Sequence, residues 1–250
     1  MFRPRVIPVL LLKGNALVKT RRFGDPKYIG DPINAVRIFN DLKADELVFL
    51  DIMASKEKRT VSLDFVRKVG EESNMPFSVG GGIRTLEDIR AVMGAGAEKV
   101  VLNTHAASNP NLVEKAAAAF GSSTIVVGID VKKDLLGRLR TWILGGTRST
   151  GHSPEDYARQ MERKGAGEII VQSISRDGMM EGYDIDLIRR IADSVTIPVI
   201  ALGGAGTSDH LRQAHVEGHA TGLAAGSLFV FQGPRRGVLI NYPERSELGL

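Results

Sequence analysis

The sequence predicts an α/β fold, a closed (βα)8 TIM barrel built from two fused half-barrels, and two observations predict it. Short β-rich runs alternate with stretches of helical period along the 250 residues, as in parallel sheets made of βαβ units. In addition, "MPFSVGGGIRT" at 75–85 recurs about 122 residues later as "IPVIALGGAGT" at 197–207. A doubly wound open sheet does not explain this repeat. We therefore expect one barrel domain over 1–250, with half-barrels of about 1–122 and 123–250.

Eight strands and seven helices are expected in alternation. The strands are predicted near 5–11, 46–51, 76–80, 98–103, 124–130, 168–173, 197–202 and 221–226. The helices are predicted near 31–43, 60–73, 86–95, 109–119, 154–164, 184–193 and 207–217. Two of them begin with a cap followed by proline, at Asp31 with Pro32 and at Ser153 with Pro154. The stretch 131–147 interrupts the alternation and predicts a small hairpin after the fifth strand.

Composition excludes several functional classes. With 43% apolar and 25% charged residues the chain is typical of a soluble globular protein, and the absence of cysteine fits a reducing, cytoplasmic compartment. Neither a signal peptide nor a membrane span is expected, because no apolar run is long enough. The net charge of +4 is scattered along the sequence, so nucleic acid binding is not expected. No histidine has metal-ligand spacing with carboxylates, so we expect no metal site. No cofactor is expected either.

Two glycine-rich turns predict phosphate sites. Each ends a strand, precedes a helix and is followed by a small polar strand end. One set comprises Gly81, Gly82, Asn103 and Thr104, and the other comprises Gly203, Gly204, Gly226 and Ser227. For a single motif, a tight turn with positive φ is the stronger interpretation, but two motifs at repeat-related positions favour a ligand with a phosphate at each end.

Three aspartates lie where parallel strands end. Asp130 ends the fifth strand, and an acid at this end of a barrel strand is more often catalytic than structural. Asp177 lies in the loop after the sixth strand, where capping of the next turn is the stronger interpretation. Asp51 ends the second strand and is ambiguous.

Four charged residues lie at the opposite ends of the strands. They are Arg5, Glu46, Lys99 and Glu168. Alternation directs Arg5 and Lys99 into the barrel, where they would meet the two glutamates as a ring of ion pairs at its floor. Taken alone, this pattern is more often a solvated rim or a stabilising feature.

In combination these motifs resemble the HisF family, the cyclase subunit of imidazole glycerol phosphate synthase. The resemblance covers about 3–230 and includes "RVIP", "DELVFLDI", "PFSVGGGI", "GID" and "SISRDG". It implies a barrel that pairs with a HisH-like glutaminase at the N-terminal face. Ammonia would cross the barrel to a bisphosphorylated ribonucleotide at the opposite face.

The resemblance also implies residue roles. The four floor residues match the family's ammonia gate, which overrides the interpretation as a solvated rim. The phosphate sites match at Gly82, Asn103 and Thr104, and at Asp177, Gly178, Gly204, Gly226 and Ser227. Lys19 matches a basic residue of the mobile first loop, and Asp130 matches one of two catalytic aspartates. The other aspartate belongs at position 11, which is Leu11 here.

Two departures direct the functional prediction. Leu11 can neither donate nor accept a proton. After the eighth strand, Pro234 and Gly237 would break the helix expected there. Both features resemble HisF-like paralogues found with surface-polysaccharide genes, whose implied role is to supply ammonia to an ATP-using sugar amidotransferase. We expect that role for this chain.

Three alternatives remain at this stage. The first is the histidine-pathway cyclase, with Asp51 or Asp177 compensating for position 11. The related single-chain ribotide isomerase is disfavoured, because it resembles a two-acid mechanism and has no use for a charged floor. A structural scaffold is least favoured, because it does not explain two phosphate sites.

Overall fold

The computed structural model describes residues 3–244 and 248–249. The strands are β1 (Arg5–Lys13), β2 (Ala16–Arg21), β3 (Gly24–Gly30), β4 (Leu47–Asp51), β5 (Phe77–Gly80), β6 (Lys99–Leu102), β7 (Ile125–Lys133), β8 (Leu139–Ile143), β9 (Arg148–Ser149), β10 (Glu168–Ser173), β11 (Val199–Leu202), β12 (Gly222–Ala225), β13 (Phe231–Gln232) and β14 (Gly237–Val238). The helices are α1 (Pro32–Asp41), α2 (Leu63–Glu72), α3 (Leu86–Gly94), α4 (Thr104–Ser108), α5 (Asn111–Phe120), α6 (Pro154–Arg163), α7 (Ile185–Ala192) and α8 (Ser208–Val216).

Eight parallel strands close into a barrel. Their order is β1, β4, β5, β6, β7, β10, β11 and β12, and β12 pairs with β1 to complete the ring. Every one of these strands overlaps a strand predicted from the sequence, and the predicted (βα)8 barrel is confirmed. The division into half-barrels stays a prediction.

Alternation along the strands separates two apolar layers. Side chains that point inward fill the barrel, and the buried apolar ones include Ile7, Val9, Leu11, Val48, Val101, Val126, Ile170, Ile200 and Leu202. Side chains that point outward pack against the helices, where Phe49 contacts Phe65 and Phe77 edge to face, with centroids 5.3 and 6.3 Å apart. The filled interior is a packed core rather than an open pore.

The helix starts follow the predicted caps. The Asp31 carboxylate accepts from the Asn34 N–H at 2.9 Å, and Ser153 Oγ accepts from the Asp156 N–H at 3.2 Å. Each cap satisfies a backbone donor that the first helical turn leaves free. Proline follows the cap in both helices.

Two β-hairpins extend from the C-terminal end of the barrel, and we call them the mouth hairpins. One spans 13–30 and contains β2 and β3, which the sequence did not predict. The other spans 131–151 and contains β8 and β9, where a small hairpin was predicted. Because β1 and β7 lie four strands apart in an eight-stranded ring, the hairpins stand on opposite sides of the mouth.

The chain after β12 takes the place of an eighth outer helix. No helix of eight or more residues occurs in the described part, 226–244 and 248–249, which agrees with the predicted break; 245–247 and 250 lie outside the described residues. The Tyr242 hydroxyl donates to the Val6 carbonyl at 2.9 Å and accepts from the Asp45 N–H at 3.1 Å. Near the other end, the Arg236 guanidinium donates to the Gly178 carbonyl at 3.0 Å. The segment therefore runs between the two ends of the barrel.

Among the described helices, none has both the length and the apolar character needed to cross a membrane.

Candidate functional site

The floor of the barrel holds a closed ring of four charged side chains, Arg5, Glu46, Lys99 and Glu168, which we call the floor ring. Arg5 pairs with Glu46, and its Nη2 lies 2.8 Å from Glu168 Oε1. Lys99 Nζ lies 3.1 Å from Glu168 Oε2 and 3.5 Å from Glu46 Oε1. Each charge therefore has two partners of opposite sign.

Burial gives the floor ring its strength. Glu46 is 2% exposed and also accepts a hydrogen bond from Ser78 Oγ at 2.9 Å. A buried carboxylate that loses a partner is costly, so each ion pair of Glu46 is costly to break.

A cavity of about 230 Å³, the mouth cavity, opens at the C-terminal end of the barrel. Predicted site residues that line it are Leu11, Asp51, Gly81, Gly82, Asn103, Thr104 and Asp130. Leu11 lies near the mouth end of the parallel pairing of β1, and Asp130 lies near that of β7, four strands away in the ring. The cavity thus has the carboxyl group of Asp130 on one wall and the hydrocarbon side chain of Leu11 on the opposite wall.

Asp130 is suited to proton exchange near neutral pH. Burial raises its pKa from 3.8 to about 7, the hydrogen bond from Asn103 Nδ2 at 3.2 Å opposes this rise, and the negative charge of Asp177 adds to it. Asn103 also donates to the Gly128 carbonyl at 3.0 Å, so its amide holds the carboxyl in a fixed position.

Asp51 is already committed to its own loop. It accepts from the Met53 and Ala54 N–H groups at 3.0 and 3.1 Å, and both its oxygens contact the Arg59 guanidinium, at 2.5 and 3.2 Å. The two oxygens of Asp51 thus accept four hydrogen bonds from residues of its own loop.

Asp177 ties the first mouth hairpin to the barrel. It accepts from Thr20 Oγ1 at 2.7 Å, from the Phe23 N–H at 3.1 Å and from Gln172 Nε2 at 3.4 Å. Burial raises its pKa, and these hydrogen bonds together with Lys19 oppose the rise. The first two contacts join Asp177 to a segment more than 150 residues away in sequence, rather than to the turn that follows it, where capping was predicted.

The glycines of the first predicted phosphate site are explained by chain packing. Gly81 and Gly82 have φ of +140° and +66°. A Cβ on Gly82 would collide with the Arg59 carbonyl oxygen, and one on Gly81 would lie 2.7 Å from the Asp51 Cβ. These two positions therefore require glycine whether or not a ligand binds. Asn103 and Thr104 leave polar atoms beside them at the cavity wall.

The second predicted phosphate site is occupied by a side chain of the protein. Gly178, Gly203, Gly204, Gly226 and Ser227 line a small cavity of about 30 Å³, room for about one or two water molecules. Lys19 enters from the first mouth hairpin, and its Nζ donates to the Val9 carbonyl at 2.5 Å. A Cβ on Gly226 would lie 2.5 Å from that Nζ.

The Lys19 ammonium is poorly solvated in this position. The residue is 5% exposed, and burial lowers its pKa from 10.5 to about 8, which the nearby charge of Asp177 partly offsets. A buried cation beside glycine N–H groups attracts an anion. The two predicted phosphate sites thus differ: the first opens into the mouth cavity, and the second is narrow and already holds a cation.

Comparison with known proteins agrees with this architecture. A family described as "Histidine biosynthesis protein" matches residues 5–234. The chain belongs to this family.

Named relatives within the family cover nearly the whole chain. A protein of Leptospira borgpetersenii named "Putative imidazole glycerol phosphate synthase subunit HisF" is 46% identical over 99% of this chain and 98% of its own length. A Pseudomonas aeruginosa protein, "Putative imidazole glycerol phosphate synthase subunit hisF2", is 45% identical over 99% of both chains. The "Imidazole glycerol phosphate synthase subunit HisF" of Alkaliphilus metalliredigens is 44% identical over 92% of this chain and 91% of its own. The chain is therefore a HisF-like member of the family.

Several residues that contact or line the candidate site were not predicted from the sequence. Thr20 and Gln172 hold Asp177, and Arg59 neutralises Asp51. Lys56 and His105 line the mouth cavity beside the first phosphate site. The basic character of the loop "SKEKR" at 55–59 was the available signal for Lys56 and Arg59, whereas Thr20 and Gln172 carry no motif.

Proposed function

We propose that this chain is an ammonia-conducting HisF-like subunit of a cytoplasmic amidotransferase complex. A HisH-like glutaminase docks at the N-terminal face, and ammonia crosses the barrel to be used in nitrogen transfer, with a surface-polysaccharide sugar precursor as the acceptor. The observation that carries the proposal is Leu11 opposite Asp130, above a complete floor ring.

The barrel interior supports conduction. Between the floor ring and the mouth cavity lie apolar side chains, among them Ile7, Val48 and Ile200. Neutral ammonia moves between these packed apolar side chains more readily than ammonium does, since burying an unpaired charge costs far more than burying a neutral polar group. The ring supplies a closed gate, and the interior supplies selectivity for the uncharged molecule.

The mouth supports a function other than ring closure. A cyclase moves protons with two opposed acid or base groups, and one general acid or base contributes about 10²–10⁴ in rate. Here one of the two positions is hydrocarbon, while Asp51 is held by Arg59 and Asp177 by the first mouth hairpin. Neither aspartate is placed to compensate for Leu11.

A direct assay tests the proposal. With the bisphosphorylated ribotide and free ammonium, we expect cyclase turnover about 10²–10⁴ below that of an ordinary cyclase assayed in parallel. Leu11→Asp should raise it, because the carboxylate then faces Asp130 across the cavity. Leu11→Asn is the matched control, since it adds polarity without an acid. Ordinary turnover by the unmodified protein would disprove the proposal.

The alternative is the histidine-pathway cyclase itself. It is favoured by the relatives whose names specify imidazole glycerol phosphate synthase, and by the Asp130 pKa of about 7, which suits acid–base work. The same assay separates the two proposals, because only the alternative expects efficient turnover without an acid at position 11.

A further inference from the structure

The mouth hairpins carry the excess positive charge of the chain. Residues 13–30 and 131–151 contain ten lysines and arginines and two aspartates, whereas the rest of the chain contains 23 basic and 27 acidic residues. The exposed cations are Lys13, Arg21, Arg22, Lys27, Lys133, Arg138 and Arg148. Basic residues that are scattered in the sequence are thus gathered by the fold around the exit of the barrel. A field of this sign steers an acidic partner to the mouth.

The same hairpins carry the most exposed large apolar side chains of the described residues. These are Leu135, Leu136 and Tyr28, which are 105%, 73% and 71% exposed. Leu135 and Leu136 form the tip of the second mouth hairpin, a position where turns ordinarily carry polar residues. Apolar side chains held together in water in this way are typical of interaction sites.

The leucine tip is presented on a rigid turn. Asp134 Oδ1 accepts from the Leu136 and Arg138 N–H groups at 2.8 and 2.9 Å, and the Asp134 N–H donates to the Arg138 carbonyl at 2.8 Å. Below it, Trp142 Nε1 donates to the Lys132 carbonyl at 3.1 Å, and the Lys132 ammonium lies 3.9 Å from the indole centroid. A tip that is already ordered loses little entropy on binding.

The position of the leucine tip argues for a protein partner. Neither leucine lines the mouth cavity, so they do not serve a small ligand bound there. Aliphatic side chains do not stack on bases, which is the usual apolar contribution to single-stranded nucleic acid binding. An apolar anchor surrounded by charges matches the composition of a protein–protein interface with an apolar core and a polar rim.

We propose that the mouth hairpins dock the enzyme that consumes the ammonia, through an acidic surface with an apolar recess for Leu135 and Leu136. The proposal rests on the conduit function above, and it identifies where the receiving enzyme binds. Ammonia that leaves the mouth into water is protonated and diluted. A receiver that covers both hairpins encloses the exit and prevents this loss.

The test uses the chain in complex with its HisH-like glutaminase and the ATP-using sugar amidotransferase of the same organism. Two double variants are compared with the unmodified chain. The leucine variant carries Leu135→Ser and Leu136→Ser, and the charge variant carries Lys133→Glu and Arg148→Glu. Each should weaken binding of the amidotransferase about tenfold or more, a loss of about 1.4 kcal/mol. Glutamine-dependent amidation should fall in parallel, whereas amidation from added ammonium should not change. For the unmodified complex, binding should weaken with added salt, and less so for the charge variant.

Matched controls lie on the outer helices. Val216→Ser removes an exposed apolar side chain from α8, and Arg67→Glu with Lys115→Glu reverses two exposed charges on α2 and α5. Both controls should bind and couple like the unmodified complex. If the hairpin variants also do so while glutamine-dependent amidation proceeds, the docking proposal is wrong and the conduit function stands. If the unmodified complex shows no glutamine-dependent amidation, the conduit function itself fails.

Two other occupants give different results. If the leucine variant abolishes self-association of the barrel in sedimentation and leaves amidotransferase binding intact, the surface pairs two copies of this chain. If a single-stranded oligonucleotide binds tightly and only the charge variant loses it, the surface binds nucleic acid. Either result overturns the proposal.

Discussion

At the floor of the barrel every charged side chain has two partners of opposite sign, whereas at the mouth the two facing positions hold one carboxyl and one hydrocarbon. Both regions are built the same way, from inward-pointing residues at the ends of parallel strands. The floor residues depend on one another, because removing any one of them leaves its partners as buried charges that have lost an opposite charge. At the mouth Asp130 accepts a hydrogen bond from Asn103, and a hydrocarbon at position 11 leaves that bond intact.

The paired charges at the floor and the single carboxyl at the mouth suit the two regions to different functions. The floor ring operates as a unit, and a gate requires only that the unit open and close. Proton transfer at the mouth requires two groups with suitable pKa values, and hydrocarbon at one position removes the pair while leaving Asp130 in place. The proposed function therefore expects conduction to be independent of an acid at position 11.

The largest effect is expected at the floor. Glu46→Gln removes a carboxylate that contacts Arg5, Lys99 and Ser78, and the two cations lose a buried partner. We expect the free energy of unfolding to fall by about 3–5 kcal/mol, measured by denaturant unfolding. Glu72→Gln is the control, since it breaks the exposed pair with Arg37 and should leave the unfolding midpoint unchanged. An equally small change in both variants would mean that the floor ring is solvated.

The same region can be tested for gating with less damage to stability. Lys99→Met keeps the length of the side chain and removes the charge that bridges both glutamates. In the reconstituted complex we expect ammonia production and amidation to become uncoupled, with a several-fold fall in product formed per glutamine hydrolysed. Unchanged coupling would contradict a gate at the floor.

At the mouth, burial of the Lys19 ammonium should make the free energy of unfolding depend on pH. Its pKa is about 8 in the folded protein against 10.5 for an unperturbed lysine, so between these values the unfolded chain binds the proton more tightly. Wild-type stability should therefore rise with pH over this window by roughly 2–3 kcal/mol relative to Lys19→Met. Lys27→Met, at an exposed position on the same hairpin, should show no such difference. If the free energy of unfolding changes with pH in the same way for wild type and Lys19→Met, the Lys19 ammonium is solvated and the prediction is wrong.

The contrast between floor and mouth also marks how far sequence reasoning reaches. The eight barrel strands and the caps at Asp31 and Ser153 follow from local patterns, because hydrophobic periodicity and capping act within a few residues. The hairpin strand β3, "GDPKYIG", contains glycine and proline and no apolar alternation, so it was not predicted. The entry of Lys19 under Gly226, and the capture of the hairpin by Asp177, depend on tertiary packing that no local pattern encodes.

The smallest effect is expected at Asp130, and its sign is distinctive. Its pKa is about 7 in the folded protein against 3.8 for an unperturbed aspartate, so the folded state holds the proton through this window and loses stability as pH rises from about 4 to 7. Asp130→Asn keeps the partner for Asn103 and removes the titration. Relative to wild type, the variant should gain about 2 kcal/mol between pH 4 and 8, less than the whole shift implies because the carboxyl faces the mouth cavity. Thermal unfolding at the two pH values measures this gain as an upward shift in Tm of roughly 4–8 °C.

Exposed Asp186, changed to Asn, should leave the difference between the two pH values unaltered. A difference of the same size in both variants would show that Asp130 titrates like a surface carboxyl, and the mouth would then lack even one group poised for proton transfer near neutral pH.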